Sequence, residues 1–421
     1  MEEIISSDRA VLVSLEFGNE VQDAASLAEL RELASTAGAE VLGEFIQRRQ
    51  KPDAALYLGR GKAEELYTEV KALDANLVIV NEELTPTQQR NLEEAVSVRV
   101  IDRTGLILDI FAQRAQTREG KLQVELAQLQ YLLPRLAGYS TSLSRLGGGI
   151  GTRGPGETKL EADRRRIRNR IADLTDEMEE VRQHRRVQRA GRRRLPFPSA
   201  ALVGYTSAGK STILNTLSGS DVLVDRKLFA TLDPTTRRVV LPDGSAVLLT
   251  DTVGFIRNLP HGLVAAFRAT LEEVTEADLL IHVVDATHPD MAAQIEAVRG
   301  VLAELGVEDK PTITAFNKSD LVADQYTLRR LVADTPNSVY ISAHTKDGIP
   351  QFMALISKTL QTLTVHMSLT IPYDRSDLVN LCYESGRVIS VEYTTEGINV
   401  EANIARDSVG RLQPFVRSNI T

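Results

Sequence analysis

The chain has 421 residues, of which 43% are apolar and 25% charged, with a formal net charge of −8. That length and balance suit two to four globular domains, and no run approaches the ~18 apolar residues of a membrane span. Met1-Glu2-Glu3 is acidic where a secretory signal is basic, and the negative balance argues against general coating of nucleic acid while leaving a local basic face open.

In chain order, Val11-Leu12-Val13, Ala55-Leu56-Tyr57-Leu58 and Leu77-Val78-Ile79-Val80 read as buried strands. Helical patterns at Ala24 to Ala34 and Ala63 to Ala72 lie between them. This βαβ rhythm predicts an N-terminal α/β domain over residues 1–104. Residues 105–195 then read as a long antiparallel helical hairpin. Its first arm runs from Gly105 to about Leu136, with Gly120 and Pro134 as internal breakers. Six of the ten residues from Gly147 to Gly156 are glycine, which no helix crosses, so this segment forms the tip. The second arm carries Ile167, Ile171, Leu174, Met178 and Val181 at heptad spacing, a seam that wants a partner helix. It ends in seven arginines (Arg182, Arg185, Arg186, Arg189, Arg192, Arg193 and Arg194) with no acid among them. These are either contacts for RNA phosphates or a solvated helix end whose cations suit the macrodipole.

Pro196 and Pro198 mark a linker. Residues 196–364 carry a second α/β pattern, expected to form a doubly wound, mostly parallel sheet. Residues 365–421 predict a small α+β domain, with strands around Met367-Leu369-Ile371, Ile389-Val391-Tyr393 and Ile398-Val400-Ala402 and a helix near Ser376 to Ser385. The lone Cys382 has no partner for a disulfide and reads as a core residue in a reducing cytoplasm. The six histidines never reach a metal-ligand spacing, so zinc is not expected.

The chemistry concentrates in residues 196–364. Gly204-Tyr205-Thr206-Ser207-Ala208-Gly209-Lys210-Ser211 matches G-x-x-x-x-G-K-[ST], after the apolar run Ala200-Ala201-Leu202-Val203 and before a helix opening with Thr212. In that context, glycines let the backbone wrap a phosphate chain, and loop N–H groups face its charge. Lys210 would reach the β- and γ-phosphates and Ser211 would bind Mg²⁺. Asp251-Thr252-Val253-Gly254 supplies D-x-x-G after Val247-Leu248-Leu249, with Asp251 holding Mg²⁺ and the Gly254 N–H touching the γ-phosphate. In Phe229-Ala230-Thr231-Leu232-Asp233-Pro234-Thr235-Thr236, Thr231 is the favoured sensor of the γ-phosphate through Mg²⁺ and Thr235 the alternative. Lys210, Thr231 and Gly254 are therefore the candidate catalytic groups. Asn317-Lys318-Ser319-Asp320 follows the strand Thr312 to Phe316. A carboxylate there accepts paired hydrogen bonds from the ring N–H and amino group of guanine, which adenine does not offer, so the sequence predicts GTP and GDP rather than ATP. Ser342-Ala343-His344, after Val339-Tyr340-Ile341, suits a backbone N–H donated to the guanine oxygen. Phe255, directly after D-x-x-G, cannot orient water as glutamine does, which predicts slow intrinsic hydrolysis.

Together with Gly59-Arg60-Gly61-Lys62, Glu65-Leu66, the run Asp102 to Phe111 and the glycine-rich Gly147 to Glu157, these motifs resemble the HflX family of ribosome-associated GTPases up to about residue 365, with a looser match beyond. The resemblance implies a GTPase that binds the large ribosomal subunit, is stimulated by it, and acts in splitting or rescuing stalled ribosomes under stress. It also implies that the N-terminal domain and hairpin approach the peptidyl-transferase region, where Arg145 and Arg153 would touch rRNA. Two alternatives stay open: a large-subunit assembly GTPase, and a GTP-dependent adaptor that docks a protein through the heptad face.

Overall fold

A computed structural model describes residues 8–18, 20–136, 159–193, 197–219, 228–257 and 268–417. The predicted glycine-rich tip, Arg145, Arg153, Arg194 and the side chains of the other six arginines of the basic run lie outside the described residues. Contacts divide the chain into two compact units. No described helix is long and apolar enough to cross a membrane.

The first unit contains a four-stranded parallel sheet in the order β2-β1-β3-β4, built from β1 (Arg9–Glu16), β2 (Glu40–Arg48), β3 (Leu77–Val80) and β4 (Arg99–Asp102). Every residue of β3 is buried, as befits a parallel strand covered on both faces. Helices α1 (Glu20–Ala37), α2 (Arg60–Ala72) and α3 (Pro86–Val96) make the crossovers, and α4 (Arg103–Arg114) follows β4. The start of α3 is set locally: Thr85 and Gln88 form a capping box and Pro86 occupies the first turn. Asp102 caps α4 by accepting from the Gly105 N–H at 2.8 Å.

Two expectations fail here. Ala55–Leu58 is not a strand. Asp53 Oδ1 accepts from the Ala55 and Leu56 N–H groups, the Asp53 and Tyr57 backbones pair with each other, and Tyr57 takes φ +66°. The run forms a side-chain-locked turn that buries only Tyr57 and Leu58, which periodicity does not distinguish from a short strand. Nor is Gly105 to Leu136 one helix. It breaks at Ala115–Thr117, and α5 (Arg118–Leu136) starts anew with Gly120 and Pro134 both inside it. Thr117 Oγ1 accepts from the Gly120 N–H at 3.0 Å, a helix start made by an ordinary hydroxyl residue rather than a glycine.

α6 (Lys159–Arg193) runs antiparallel to α5: Arg118 pairs with Glu177, and Arg170 with Glu125. Leu174 and Met178 are buried with Leu122, and Leu126, Leu129 and Val181 pack around them, so this part of the seam has the partner predicted for it. Ile167 and Ile171 are half-buried.

The second unit contains a six-stranded sheet in the order β10-β9-β8-β5-β7-β6: β5 (Ser199–Gly204), β6 (Thr235–Val240), β7 (Ala246–Asp251), β8 (Leu279–Asp285), β9 (Thr312–Asn317) and β10 (Ser338–Tyr340). All neighbours run parallel except the edge strand β6 against β7. This is the doubly wound, mostly parallel α/β sheet expected, and its core centres on Leu202, Ile281, Ile313 and Phe352. The C-terminal sheet β11-β13-β12, from β11 (Thr364–Ile371), β12 (Gly386–Thr394) and β13 (Gly397–Ala405), is antiparallel and buries Cys382 in its own small core.

The helix pair rests on a narrow seam. Leu174→Ala is expected to cost about 2–5 kcal/mol, read as faster amide hydrogen exchange in both α5 and α6. Unchanged exchange would show that Leu174 does not hold the pair.

Candidate nucleotide site

Within the six-stranded unit, β5 delivers its chain into the loop Gly204 to Gly209 and then into α7 (Lys210–Ser218). Two positions there exclude any side chain. Gly204 has φ +153°, and a Cβ on it would lie 2.3 Å from the Val283 carbonyl oxygen; Gly209 has φ +98°, and its Cβ would lie 2.2 Å from Asn317 Nδ2. Lys210 is buried, and its ammonium donates to the carbonyls of Gly204 (3.0 Å) and Tyr205 (2.9 Å). Burial pushes Lys210 down to about 8, with the nearby Asp251 carboxylate acting in the opposite direction. Ser211 Oγ donates to Asp251 Oδ2 at 2.6 Å, and Thr252 Oγ1 to the Leu202 carbonyl at 2.6 Å. Thr206 Oγ1 is buried with no hydrogen-bond partner among the described residues, while Ser207 is exposed at φ +60° and Ala208 is buried. Thr212 is half-buried in the first turn of α7.

Asn317, at the end of β9, joins the loops at this end of the sheet. Its Nδ2 donates to the Ala208 carbonyl at 2.8 Å, and its Oδ1 accepts from the Ala343 N–H at 3.0 Å. Lys318 takes φ +63° and its ammonium pairs with Asp285 at 2.6 Å. Burial alone would raise Asp285, but hydrogen bonds from Lys318 and Thr287 hold it below the usual carboxylate range. The Ser319 N–H donates to the Ile341 carbonyl at 3.1 Å, and Asp320 is exposed. Ser342 Oγ accepts from the Thr345 N–H, Thr216 Oγ1 donates to the Ala343 carbonyl at 2.9 Å, and His344 is exposed. The first loop, Asp251, Thr252, Asn317 to Asp320 and Ser342 to His344 therefore all belong to one unit. Thr235 also belongs to it, fixed in β6 opposite Asp251.

The other predicted residues group with the first unit. Phe229 is buried, with its ring edge-on to Phe111 at 4.7 Å between centroids. Ala230 and Thr231 are half-buried and Leu232 is buried. The Asp233 carboxylate accepts from the Gln116 and Thr117 N–H groups at 3.0 and 2.9 Å and from Thr117 Oγ1. Val253 and Gly254 are buried, as is Phe255 at 1% exposure. Arg103, 2% exposed, donates to the Arg257 carbonyl at 3.1 Å and pairs with Glu29 at 2.9 Å.

The sequence reading missed β8, and with it two residues. Asp285 closes a largely apolar strand, interrupted only by His282, with an acid, a signal that was available. His282 is buried mid-strand, and burial, reinforced by Arg299 and Lys210, pushes it down to about 4; nothing in one sequence marks it.

Residues 24–112 match a family model described as GTP-binding GTPase N-terminal, 114–192 one described as GTP-binding GTPase Middle Region, and 199–318 one described as 50S ribosome-binding GTPase. A protein named GTPase HflX from Caldanaerobacter subterraneus subsp. tengcongensis is 51% identical over 99% of this chain and 96% of its own. One of the same name from Escherichia coli is 44% identical over 95% and 93%. A solved GTP-binding protein from Sulfolobus solfataricus, in complex with GDP, is 25% identical over 85% of this chain and 99% of that one, with a TM-score of 0.43.

Because Asn317 satisfies groups on two loops at once, Asn317→Ala is expected to destabilise the six-stranded unit by about 2–3 kcal/mol. The measurement is chemical denaturation followed by a probe local to that unit. A loss below about 0.5 kcal/mol would show that the bridge is not structural.

Proposed function

The chain belongs to the HflX family of GTPases, and from that premise we propose that it hydrolyses GTP slowly alone and faster on the large ribosomal subunit, as a cytoplasmic factor that splits or rescues ribosomes under stress. GTP binding and hydrolysis belong to the family itself. The observation that carries the ribosomal part is the match of residues 199–318 to a 50S ribosome-binding GTPase model.

The geometry supports definite roles. The loop Gly204 to Ser211 wraps the phosphates, with Tyr205, Thr206, Ser207, Ala208 and Thr212 offering backbone or hydroxyl donors. The Thr206 hydroxyl is already buried without a partner among the described residues, as a ligand-facing group would be. Lys210 exchanges its carbonyl partners for phosphate oxygens, a stronger, charge-assisted pairing. Asn317 braces the base-side loops while the exposed Asp320 carboxylate reads guanine, helped by Ser342, Ala343 and His344.

Ser211 and Asp251 put two hard oxygen donors 2.6 Å apart. Among the described residues no group of three or more His, Cys, Asp or Glu is placed to hold a metal. This donor set fits Mg²⁺, which takes one or two protein oxygens and fills its shell from phosphate and water. When bound, Mg²⁺ offsets charge on the β- and γ-phosphates. Thr231, with Thr235 as the alternative, would offer a third protein oxygen. In the reaction, a water oxygen bonds to the γ-phosphorus, and the bond to the β–γ bridging oxygen breaks with its electrons leaving on GDP. The Gly254 N–H supports the γ-phosphate, but Phe255, buried and without a polar atom, gives the water no acceptor. An order supplied from outside, by the subunit, follows naturally.

Contact with rRNA is assigned to the arginine run and glycine-rich segment on charge grounds. The adaptor reading loses its docking seam where Leu174 and Met178 are already buried against Leu122.

Steady-state GTP turnover is expected to rise at least about tenfold when purified large subunits are added, equal to ~1.4 kcal/mol off the barrier. Identical turnover with and without subunits would remove the ribosomal reading. Asp320→Asn is expected to weaken GTP binding by at least about 100-fold and to favour xanthosine nucleotides, whose C2 carbonyl accepts where guanine donates. Calorimetry with both nucleotides checks it, and unchanged GTP affinity would move base recognition elsewhere.

A further inference from the structure

The carboxylate of Asp233 is turned to a use that the nucleotide motifs do not explain. It accepts the Gln116 and Thr117 N–H groups and the Thr117 hydroxyl, and that hydroxyl in turn accepts the Gly120 N–H as the cap of α5. A carboxylate at a helix N-terminus is favoured by the unpaired N–H groups and the macrodipole. The fit is close: a Cβ on Gly120 would lie 2.5 Å from Asp233 Oδ1, so any larger residue there would push the carboxylate away.

Four residues earlier the same loop is fastened again. Phe229, at φ +55°, is buried edge-on to Phe111, and the Leu228 N–H donates to Thr36 Oγ1 at 3.3 Å. All of these contacts lie within the first unit. Only Ala230, Thr231 and Leu232 span between the two anchors, and Leu232 is itself buried. Fixing both ends of so short a stretch removes most of its conformational freedom before any ligand arrives.

We propose that Asp233 is a positioning residue for GTP hydrolysis, clamping the Phe229–Asp233 loop to the first turn of α5 so that Thr231 is held ready for the triphosphate. The inference rests on the GTPase reading above and adds to it a defined element that the loop reports to. α5 is one arm of the helix pair sealed by Leu122, Leu174 and Met178. By linkage, whatever changes the first turn of α5 changes the loop, and the reverse holds with equal size. A helix cap shifts a local equilibrium by roughly two- to thirtyfold, which sets the scale of the effect.

The test is a double-mutant cycle in the full chain, read by single-turnover GTP hydrolysis and, separately, by GDP affinity. Asp233→Ala and Thr117→Val are each expected to slow hydrolysis about tenfold while leaving GDP affinity within about twofold. The double variant is expected to lose less than the product of the two single losses, because both remove the contact between the Thr117 hydroxyl and Asp233. Thr117→Ser keeps the hydroxyl and is expected to keep the unsubstituted rate. An Asp233→Ala variant that hydrolyses GTP normally, or losses that multiply in the double, would overturn the proposal. If Asp233→Ala fails to fold, the Thr117→Val and Thr117→Ser pair decides: equal rates in the two overturn it. Failure of the unsubstituted chain to bind GDP would instead remove the GTPase reading, and the clamp with it.

Discussion

One amide side chain sets the geometry on which the six-stranded unit depends. Asn317 accepts from the loop after β10 and donates to the loop after β5, and it does so from the end of β9. In a parallel sheet the carboxyl ends of the strands are where loops gather and ligands bind. Loops alone would be too mobile to present backbone donors at fixed separation. Asn317 converts two of them into one body, and Gly209 is glycine because the amide occupies the space a Cβ would need. In the proposed function, the loops given to phosphate and to base are thus not independent.

Electrostatics reinforces that arrangement. Lys210 is a buried cation whose ammonium donates to two carbonyl dipoles, those of Gly204 and Tyr205. Burial lowers its pKa because the charged form is disfavoured in low dielectric. A phosphate chain relieves that penalty directly, since charges interact more strongly where water is excluded. The Asp251 carboxylate favours the charged ammonium electrostatically. It is also engaged by Ser211, which keeps hydroxyl and carboxylate together as a pair of oxygen donors.

The motifs were legible because each needs particular atoms at a particular spacing. Gly204, Gly209 and Lys210 are dictated by backbone approach and charge, so the sequence names them without a structure. The apolar strands β3, β5 and β7 were legible for the simpler reason that strands buried in a sheet's interior are near-continuous apolar runs. What escaped was tertiary. Ala55 to Leu58 has the composition of a strand, but Asp53 two residues upstream closes a turn over it. The break between α4 and α5 carries no glycine or proline, since its cap is completed by Asp233, more than a hundred residues away. Asp285 was missed only because β8 was; its pairing with Lys318 is a contact between neighbouring strand ends.

The chain passes from one compact unit to the other twice inside the nucleotide-sensing motifs: between Asp233 and Pro234, and between Thr252 and Val253. The second crossing falls within D-x-x-G itself. Asp251 and Thr252 are anchored in the sheet that carries the phosphate loop, while Gly254 and Phe255 belong by contact with the N-terminal sheet and helices. Arg103 extends the same logic downstream. Its buried guanidinium holds the Arg257 carbonyl, and it is itself held by Glu29 and Asn81. A buried arginine is costly to leave partly satisfied, so releasing Arg257 carries a penalty in the N-terminal unit.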